Sequence, residues 1–330
     1  MGNDNVDSSE NEIRYDPIKG QKIIVAAHRS KRPVHPSSFC PFCPGAPDVP
    51  SGKWDVISIP NRYPALSPDT DIEVHLASSN PLFKRTQAYG ICEVVVYTPD
   101  HNTELEDLPF EHMLKVIELW QNRYRELSKK KGIRYVFIFE NRGRAIGVTL
   151  DHPHGQIYAF PFIPEIIETE LKNSKQYYLK DHGRCIFCDT INAEKAEYSR
   201  IVYENDNFIA FIPFWAMFPY EVYLLPKRHM QNILELNREE VMDFAKAIRI
   251  IRKKYNKYFG FKLPFMMYFH QAPLGNEEYP YYHFHVEFRP IHRGKNKIKY
   301  PASVENGAGT FINPTNPEIN AKNLRETIVE

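Results

Sequence analysis

Apolar residues along the chain fall into runs whose spacing alternates between the period of a strand and the period of a helix, twice, in the same order. In the first half Ile91-Cys92-Glu93-Val94-Val95-Val96-Tyr97 reads as a strand. Beyond Thr98-Pro99-Asp100-His101, the residues Met113, Ile117, Trp120, Tyr124 and Leu127 recur at helical spacing. Lys129, Lys130 and Lys131 close that helix, where cations suit its dipole. A strand over Tyr135 to Phe139 and a loop then lead to His152. The second half repeats the order: a strand from Tyr220 to Leu225, then Pro226-Lys227-Arg228-His229. Its helix carries Val241, Phe244, Ala245, Ile248 and Ile251 on one face, and Asn237 with Glu240 three positions on marks its start. A strand from Pro264 to Phe269 and a loop lead to His283. His101 and His152 are 51 positions apart and His229 and His283 are 54 apart, so the chain reads as a duplicated β-α-β module.

The remaining segments frame the repeat. Residues 1 to 12 are polar and predict a frayed tail. Glu165 to Tyr178 is polar and helix-prone and predicts a connection between the halves. From Arg293 the chain is richer in Gly, Asn and Pro, which predicts a segment wrapping the body and ending in a short helix from Pro317.

At 330 residues the chain can bury a large core. Its formal net charge of +1 supplies no field for non-specific nucleic-acid binding, which argues against a zinc-stabilised nucleic-acid module, so an anionic ligand must be held by local charge. No apolar stretch approaches the roughly 20 residues that span a bilayer, and no membrane partner is expected. The start shows neither a signal peptide nor a myristoylation pattern, and a cytoplasmic protein is expected.

Four of the five cysteines form two Cys-x-x-Cys pairs, and each pair is followed by a His-x-His. In a reducing compartment such pairs favour metal over disulfide. Zinc takes four Cys or His ligands in a tetrahedron. Cys40 and Cys43 then look to His101 and His152, and by the repeat Cys185 and Cys188 look to His229 and His283. If His152 binds metal, Pro153 stiffens the backbone and His154 projects in a fixed direction. A neutral imidazole held this way suits nucleophilic attack on phosphorus. Gly155 would let a phosphate approach the backbone, and Gln156 can donate to a phosphoryl oxygen in the transition state. Val286 and Glu287 stand where Gly155 and Gln156 would recur, so one active centre per chain is expected. Arg29 and Arg32 flank Ser30-Lys31 in a dense cationic turn whose guanidinium forks match phosphate.

In this order the residues carry a family resemblance over nearly the whole chain. The runs are Arg14-Tyr15-Asp16-Pro17, His28-Arg29-Ser30-Lys31-Arg32-Pro33, Pro60-Asn61-Arg62-Tyr63-Pro64-Ala65-Leu66 and Phe139-Glu140-Asn141-Arg142-Gly143. They continue with His152-Pro153-His154-Gly155-Gln156, Ile212-Pro213-Phe214-Trp215-Ala216 and Leu225-Pro226-Lys227-Arg228-His229. Together they resemble the galactose-1-phosphate uridylyltransferase family of the histidine-triad superfamily. The resemblance implies an α+β fold of two fused histidine-triad-like modules, mainly antiparallel sheets with packed helices. Residues 1–164 would form the module with the nucleophile, 165–182 a connecting helix, and 183–330 the second module with its wrapping tail. It implies a ping-pong transfer of UMP from UDP-glucose to galactose 1-phosphate through a uridylyl-His154 intermediate, in a homodimer. Arg29, Arg32, Asn61, Asn141, Gly147 and Thr149 would contact nucleotide or phosphate, and Lys299 and Glu305 the sugar phosphate. Two metals are implied, zinc in the first site, with the second open to another divalent ion. In the common bacterial form that second site takes a Glu and three His, at Glu170, His270, His283 and His285 here, so two ligand sets would compete for His283. Asp151 departs from the family pattern and could repel a phosphate or orient a histidine. Two Cys pairs also occur in a plant-like branch, which keeps open a nucleotide-sugar phosphorylase using an ADP-sugar donor.

Overall fold

The computed structural model describes residues 11–32, 40–70, 76 and 80–329. The first half contributes strands β1 (Glu12–Tyr15), β2 (Lys22–Val25), β3 (Ile57–Pro60), β4 (Arg85–Gln87) and β5 (Ile91–Val96), helix α1 (Phe110–Leu127), and strands β6 (Tyr135–Arg142) and β7 (His154–Phe160). Helices α2 (Glu165–Lys180) and α3 (Ile186–Glu197) follow. The second half adds β8 (Ile201–Glu204), β9 (Phe208–Phe211), β10 (Val222–Pro226), helix α4 (Arg238–Phe259), β11 (Phe265–His270) and β12 (His285–Pro290). Helices α5 (Ser303–Ala308) and α6 (Pro317–Glu326) end the chain. Among the described residues no helix is long and apolar enough to cross a membrane.

Among the described residues, nine strands form one antiparallel sheet in the order β3-β5-β7-β6-β11-β12-β10-β9-β8. About the β6–β11 pair, where Met266 faces Asn141 and Tyr268 faces Phe139, β6-β7-β5-β3 on one side is mirrored by β11-β12-β10-β9 on the other, and β8 adds one more strand at that edge. The two repeats thus share a single sheet. One face is dry: Val136, Ile138, Ile157, Phe265, Met267, Phe269 and Phe288 meet α1 and α4 there. Trp120 of α1 is fully buried, edge-on to Phe269 at 5.1 Å between ring centroids. Because side chains alternate along a strand, His154, Gln156, Asn141, Tyr268, His270 and His285 stand on the other face.

Several expected bounds move for local reasons. α1 ends at Leu127 with Ser128 as its cap, so the three lysines lie past the helix in the following turn. The strand expected to stop at Phe139 runs on to Arg142, because Glu140 and Arg142 turn to the dry face and find buried counterions there. α4 starts as expected: the Asn237 side chain accepts from the Glu240 amide and Glu240 reaches back to the Asn237 amide. Of the expected N-terminal tail, residues 1–10 lie outside the described residues. Glu12 opens β1, paired on both sides, and the buried Asn11 amide donates to the carbonyls of Pro64 and Ala65. The closing helix begins at Pro317.

Candidate active site

The geometry of the site starts from His152. His152 is fully buried, and its Nε2 donates to the Thr98 carbonyl at 2.8 Å. That bond sets the tautomer and leaves Nδ1 facing Cys40 and Cys43, 3.6 Å from each sulfur. His101 Nδ1 lies 3.4 Å from Cys43. The ligand atoms of Cys40, Cys43, His101 and His152 fall within 4.8 Å of one another, as a tetrahedral ion would require. The second half repeats this arrangement, except that Cys185 Sγ lies 3.7 Å from the Tyr281 carbonyl. His283 Nε2 donates to the Pro226 carbonyl at 3.0 Å, and the Nδ1 atoms of His229 and His283 each lie 3.5 Å from Cys188. Cys185 completes that group.

The two ligand sets expected to compete for His283 are separate. Glu170, His270, His285 and Glu287 form a third cluster, with Glu287 where His283 was expected. His270 sits 2.9 Å from Glu170, which also accepts from the Tyr282 hydroxyl at 2.6 Å. His283 cannot join, because both its ring nitrogens are already committed elsewhere.

His154 opens β7, paired with Val96. Its Nδ1 donates to the His152 carbonyl at 2.7 Å, so the lone pair lies on Nε2. Burial pushes its pKa down to about 4, and the Arg32 charge acts in the same direction, so the ring is neutral at pH 7. Beside it opens a cavity of about 170 Å³ lined by Arg32, Phe42, Asn61, Arg62, Thr149 and Gln156, among others. A second, polar pocket of about 480 Å³ also reaches His154 and holds Asn141 and Arg142. The Asn61 amide donates to Gln156 Oε1 at 3.3 Å, which leaves the Gln156 amide hydrogens for a ligand. Thr149 Oγ1 is buried with no hydrogen-bond partner.

Other expected residues are placed differently. Arg29 donates to the Tyr63 carbonyl and Tyr158 hydroxyl and does not line the His154 cavity. Gly147 is left-handed, φ 83°, and lines neither pocket at His154. Lys299 and Glu305 form an ion pair at 2.5 Å in a separate pocket of about 440 Å³, with no residue of the His154 cavities. Asp151 pairs with Arg144, both on the loop before His152. The side of Gly155 where a Cβ would stand is closed by Tyr97 and faces the core, away from the cavity.

Phe42 is a site residue beyond those expected from the sequence. It lies between the two cysteines of the first pair, lines the cavity and leans on the His154 ring at 5.0 Å. Phe187, at the same place in the second pair, leans on His285 at 4.9 Å. The shared Phe was the visible signal. His285, however, is 1% exposed with Glu287 Oε1 3.6 Å from its Nε2, so the ring is closed off where His154 faces a cavity.

Comparison with known proteins agrees with this geometry. The family model described as galactose-1-phosphate uridyl transferase, N-terminal domain, matches residues 3–164, and its C-terminal domain counterpart matches 170–300. A galactose-1-phosphate uridylyltransferase of Thermotoga maritima is 44% identical over 321 residues, 97% of this chain and 99% of its own. A solved uridylyltransferase structure is similar at TM-score 0.87 and 38% identity, over 96% of this chain and 98% of its own. An ADP-glucose phosphorylase from Arabidopsis thaliana, solved with ADP-glucose bound, reaches TM-score 0.73 and 26% identity, over 97% and 100%. With both halves matched in order and the identity sustained along the chain, this protein belongs to the galactose-1-phosphate uridylyltransferase family.

Proposed function

We propose that the chain transfers a uridylyl group between UDP-glucose and galactose 1-phosphate in two displacements through His154. The observation that carries the assignment is the bond from His154 Nδ1 to the His152 carbonyl, which points a neutral Nε2 lone pair at the cavity. Nε2 attacks the α-phosphorus, an N–P bond forms, and the P–O bond to glucose 1-phosphate breaks with its electron pair leaving on oxygen. A phosphate oxygen of galactose 1-phosphate then attacks the same phosphorus and the imidazole departs. Gln156 donates to a phosphoryl oxygen while Asn61 holds its amide in orientation. Arg32 and the Thr149 hydroxyl hold phosphate oxygens, and Asn141 reaches them from the polar pocket. Arg29 supports the turn at Tyr63 and acts on the nucleotide through it.

The donor sets fit zinc: two soft thiolates and two imidazoles of fixed tautomer converge at each site. Bound there, zinc supplies a structural clamp. In the first site Cys40, Cys43, His101 and His152 would anchor the loop that leads into β7. Cys185, Cys188, His229 and His283 would tie α3 to the second repeat. Lys299 and Glu305 lie with Tyr300 and Ile312, which are 66% and 56% exposed. Such an apolar, exposed rim supports delivery of this pair to the site of a second copy in a homodimer. The reading also places 1–164 and 183–330 as two modules joined by 165–182, in a cytoplasmic enzyme.

Likeness to the ADP-glucose phosphorylase over 97% of the chain favours one alternative, an ADP-sugar donor with phosphate as acceptor. Incubation with UDP-glucose or ADP-glucose, followed by assay of hexose 1-phosphate, separates the two. Uridylyl transfer predicts glucose 1-phosphate from UDP-glucose, with turnover sustained by galactose 1-phosphate. Release from ADP-glucose alone, sustained by inorganic phosphate, would reverse the assignment.

A further inference from the structure

Beneath the nucleophile, on the helix-covered face of the sheet, lies an ionic network that the transfer chemistry does not touch. Arg252 of α4 is fully buried and donates from Nε to Glu106 at 2.7 Å and from Nη1 to both oxygens of Glu140 at 2.9 Å. Glu140 also accepts from the Tyr97 hydroxyl at 3.1 Å. Tyr97 is itself 1% exposed, with Trp120 edge-on to its ring at 6.0 Å. Carboxylate and aromatic wall together leave the phenol one position.

That position matters because the hydroxyl ends against β7. A Cβ built on Gly155 would lie 2.2 Å from Tyr97 Oη, 3.0 Å from its Cζ and 3.1 Å from the Phe139 carbonyl oxygen. Gly155 is not in the left-handed region, so glycine is required here by space and not by backbone angle. It joins His154 to Gln156, whose side chains leave the opposite face of the strand. Displacement of the backbone at Gly155 would therefore move nucleophile and phosphoryl donor together.

We propose that Tyr97 is a positioning residue: held by Glu140 and Arg252, its phenol sets the height of β7 at Gly155 and with it the reach of His154 Nε2 and Gln156 to phosphorus. The inference rests on the reading of His154 as nucleophile. Reacting groups lose much of their advantage when misplaced by about an ångström, so the expected effect falls on kcat more than on KM.

A double-mutant cycle tests it, with Gly155→Ala, Tyr97→Phe and the double variant assayed for kcat, KM for UDP-glucose, and thermal midpoint. Removing the hydroxyl relieves the 2.2 Å contact and leaves the methyl 3.0 Å from Cζ and 3.1 Å from the Phe139 carbonyl, so the strand must still give by a few tenths of an ångström. Gly155→Ala should lower kcat at least about tenfold with KM within about threefold, and the double variant should regain part of that loss, at least about threefold in kcat. A Gly155→Ala kcat within about twofold of wild type, or a double variant no faster than Gly155→Ala, overturns the proposal. If Gly155→Ala does not fold, the double variant decides: folded and active supports the proposal, inactive overturns it. A wild-type protein that forms no nucleotidyl adduct overturns the His154 reading and this one with it. An adduct-forming wild type with a strictly additive cycle overturns the role of Tyr97 alone.

Discussion

Gln156 can serve a phosphoryl oxygen because its own oxygen is already engaged by Asn61, so its amide hydrogens face the cavity without competition. Transition-state donors of this kind contribute about two to three orders of magnitude in rate. Gln156→Ala should therefore fold normally and lose roughly 100- to 1000-fold in kcat in a steady-state assay. A rate within about threefold of wild type would place the amide away from the reacting phosphorus. The convergence of Cys40, Cys43, His101 and His152, and of Cys185, Cys188, His229 and His283, was legible from the short Cys and His motifs together with the matched spacings back to His101 and His229. Asn61, Phe42 and Tyr97 were not legible in these roles. What Asn61 does depends on meeting Gln156 across 95 positions, and what Tyr97 does depends on a glycine in the neighbouring strand.

At the scale of elements, each Cys-x-x-Cys turn docks a loop or helix against a histidine whose other nitrogen is tied to a backbone carbonyl. The second turn opens α3, so Cys185→Ser should lower metal content from about two ions per chain to about one and depress the melting temperature. Two ions per chain with undiminished stability would shift the second metal to Glu170, His270, His285 and Glu287. A second prediction concerns α4. Burial alone would raise the Glu106 pKa, but the Arg252 and Arg142 charges outweigh it and hold the carboxyl at about 2. A carboxyl depressed in the folded state stabilises it above the unfolded pKa of about 4.3, and that contribution fades as pH falls toward 2. For Glu106 it is on the order of 3 kcal/mol, trimmed by Glu140, whose pKa burial raises. The melting-temperature gap between wild type and Glu106→Gln should accordingly narrow between about pH 5 and pH 3. A gap independent of pH would show that the carboxyl's charge is not what stabilises α4. These buried charges also explain why β6 was read three residues short: Glu140 and Arg142 look like strand-ending polarity until their partners are known.

For the whole molecule, the repeat was visible in sequence as matched spacings, whereas the mirrored strand order about β6 and β11 was not. Nothing in a linear pattern says that β6 and β11 pair, since either edge of each repeat presents unpaired backbone groups. The single sheet places one competent and one closed histidine on a shared face, and it leaves Lys299 and Glu305 in a pocket apart from either. If a second copy receives that pair, His154→Gly and Lys299→Ala should complement each other. Co-expressed at random, half the dimers would be mixed and each would hold one intact site, restoring about a quarter of wild-type activity. No gain over the separate variants would mean that the pair does not serve the partner's site.

The central claim is a covalent uridylyl intermediate on His154, and mass spectrometry of the intact protein after brief exposure to UDP-glucose tests it most directly. The wild-type chain should gain the mass of one UMP, lose it on addition of galactose 1-phosphate, and show no such gain as His154→Gly. A wild-type protein of unchanged mass, or a His154→Gly variant that still carries the adduct, would contradict the account.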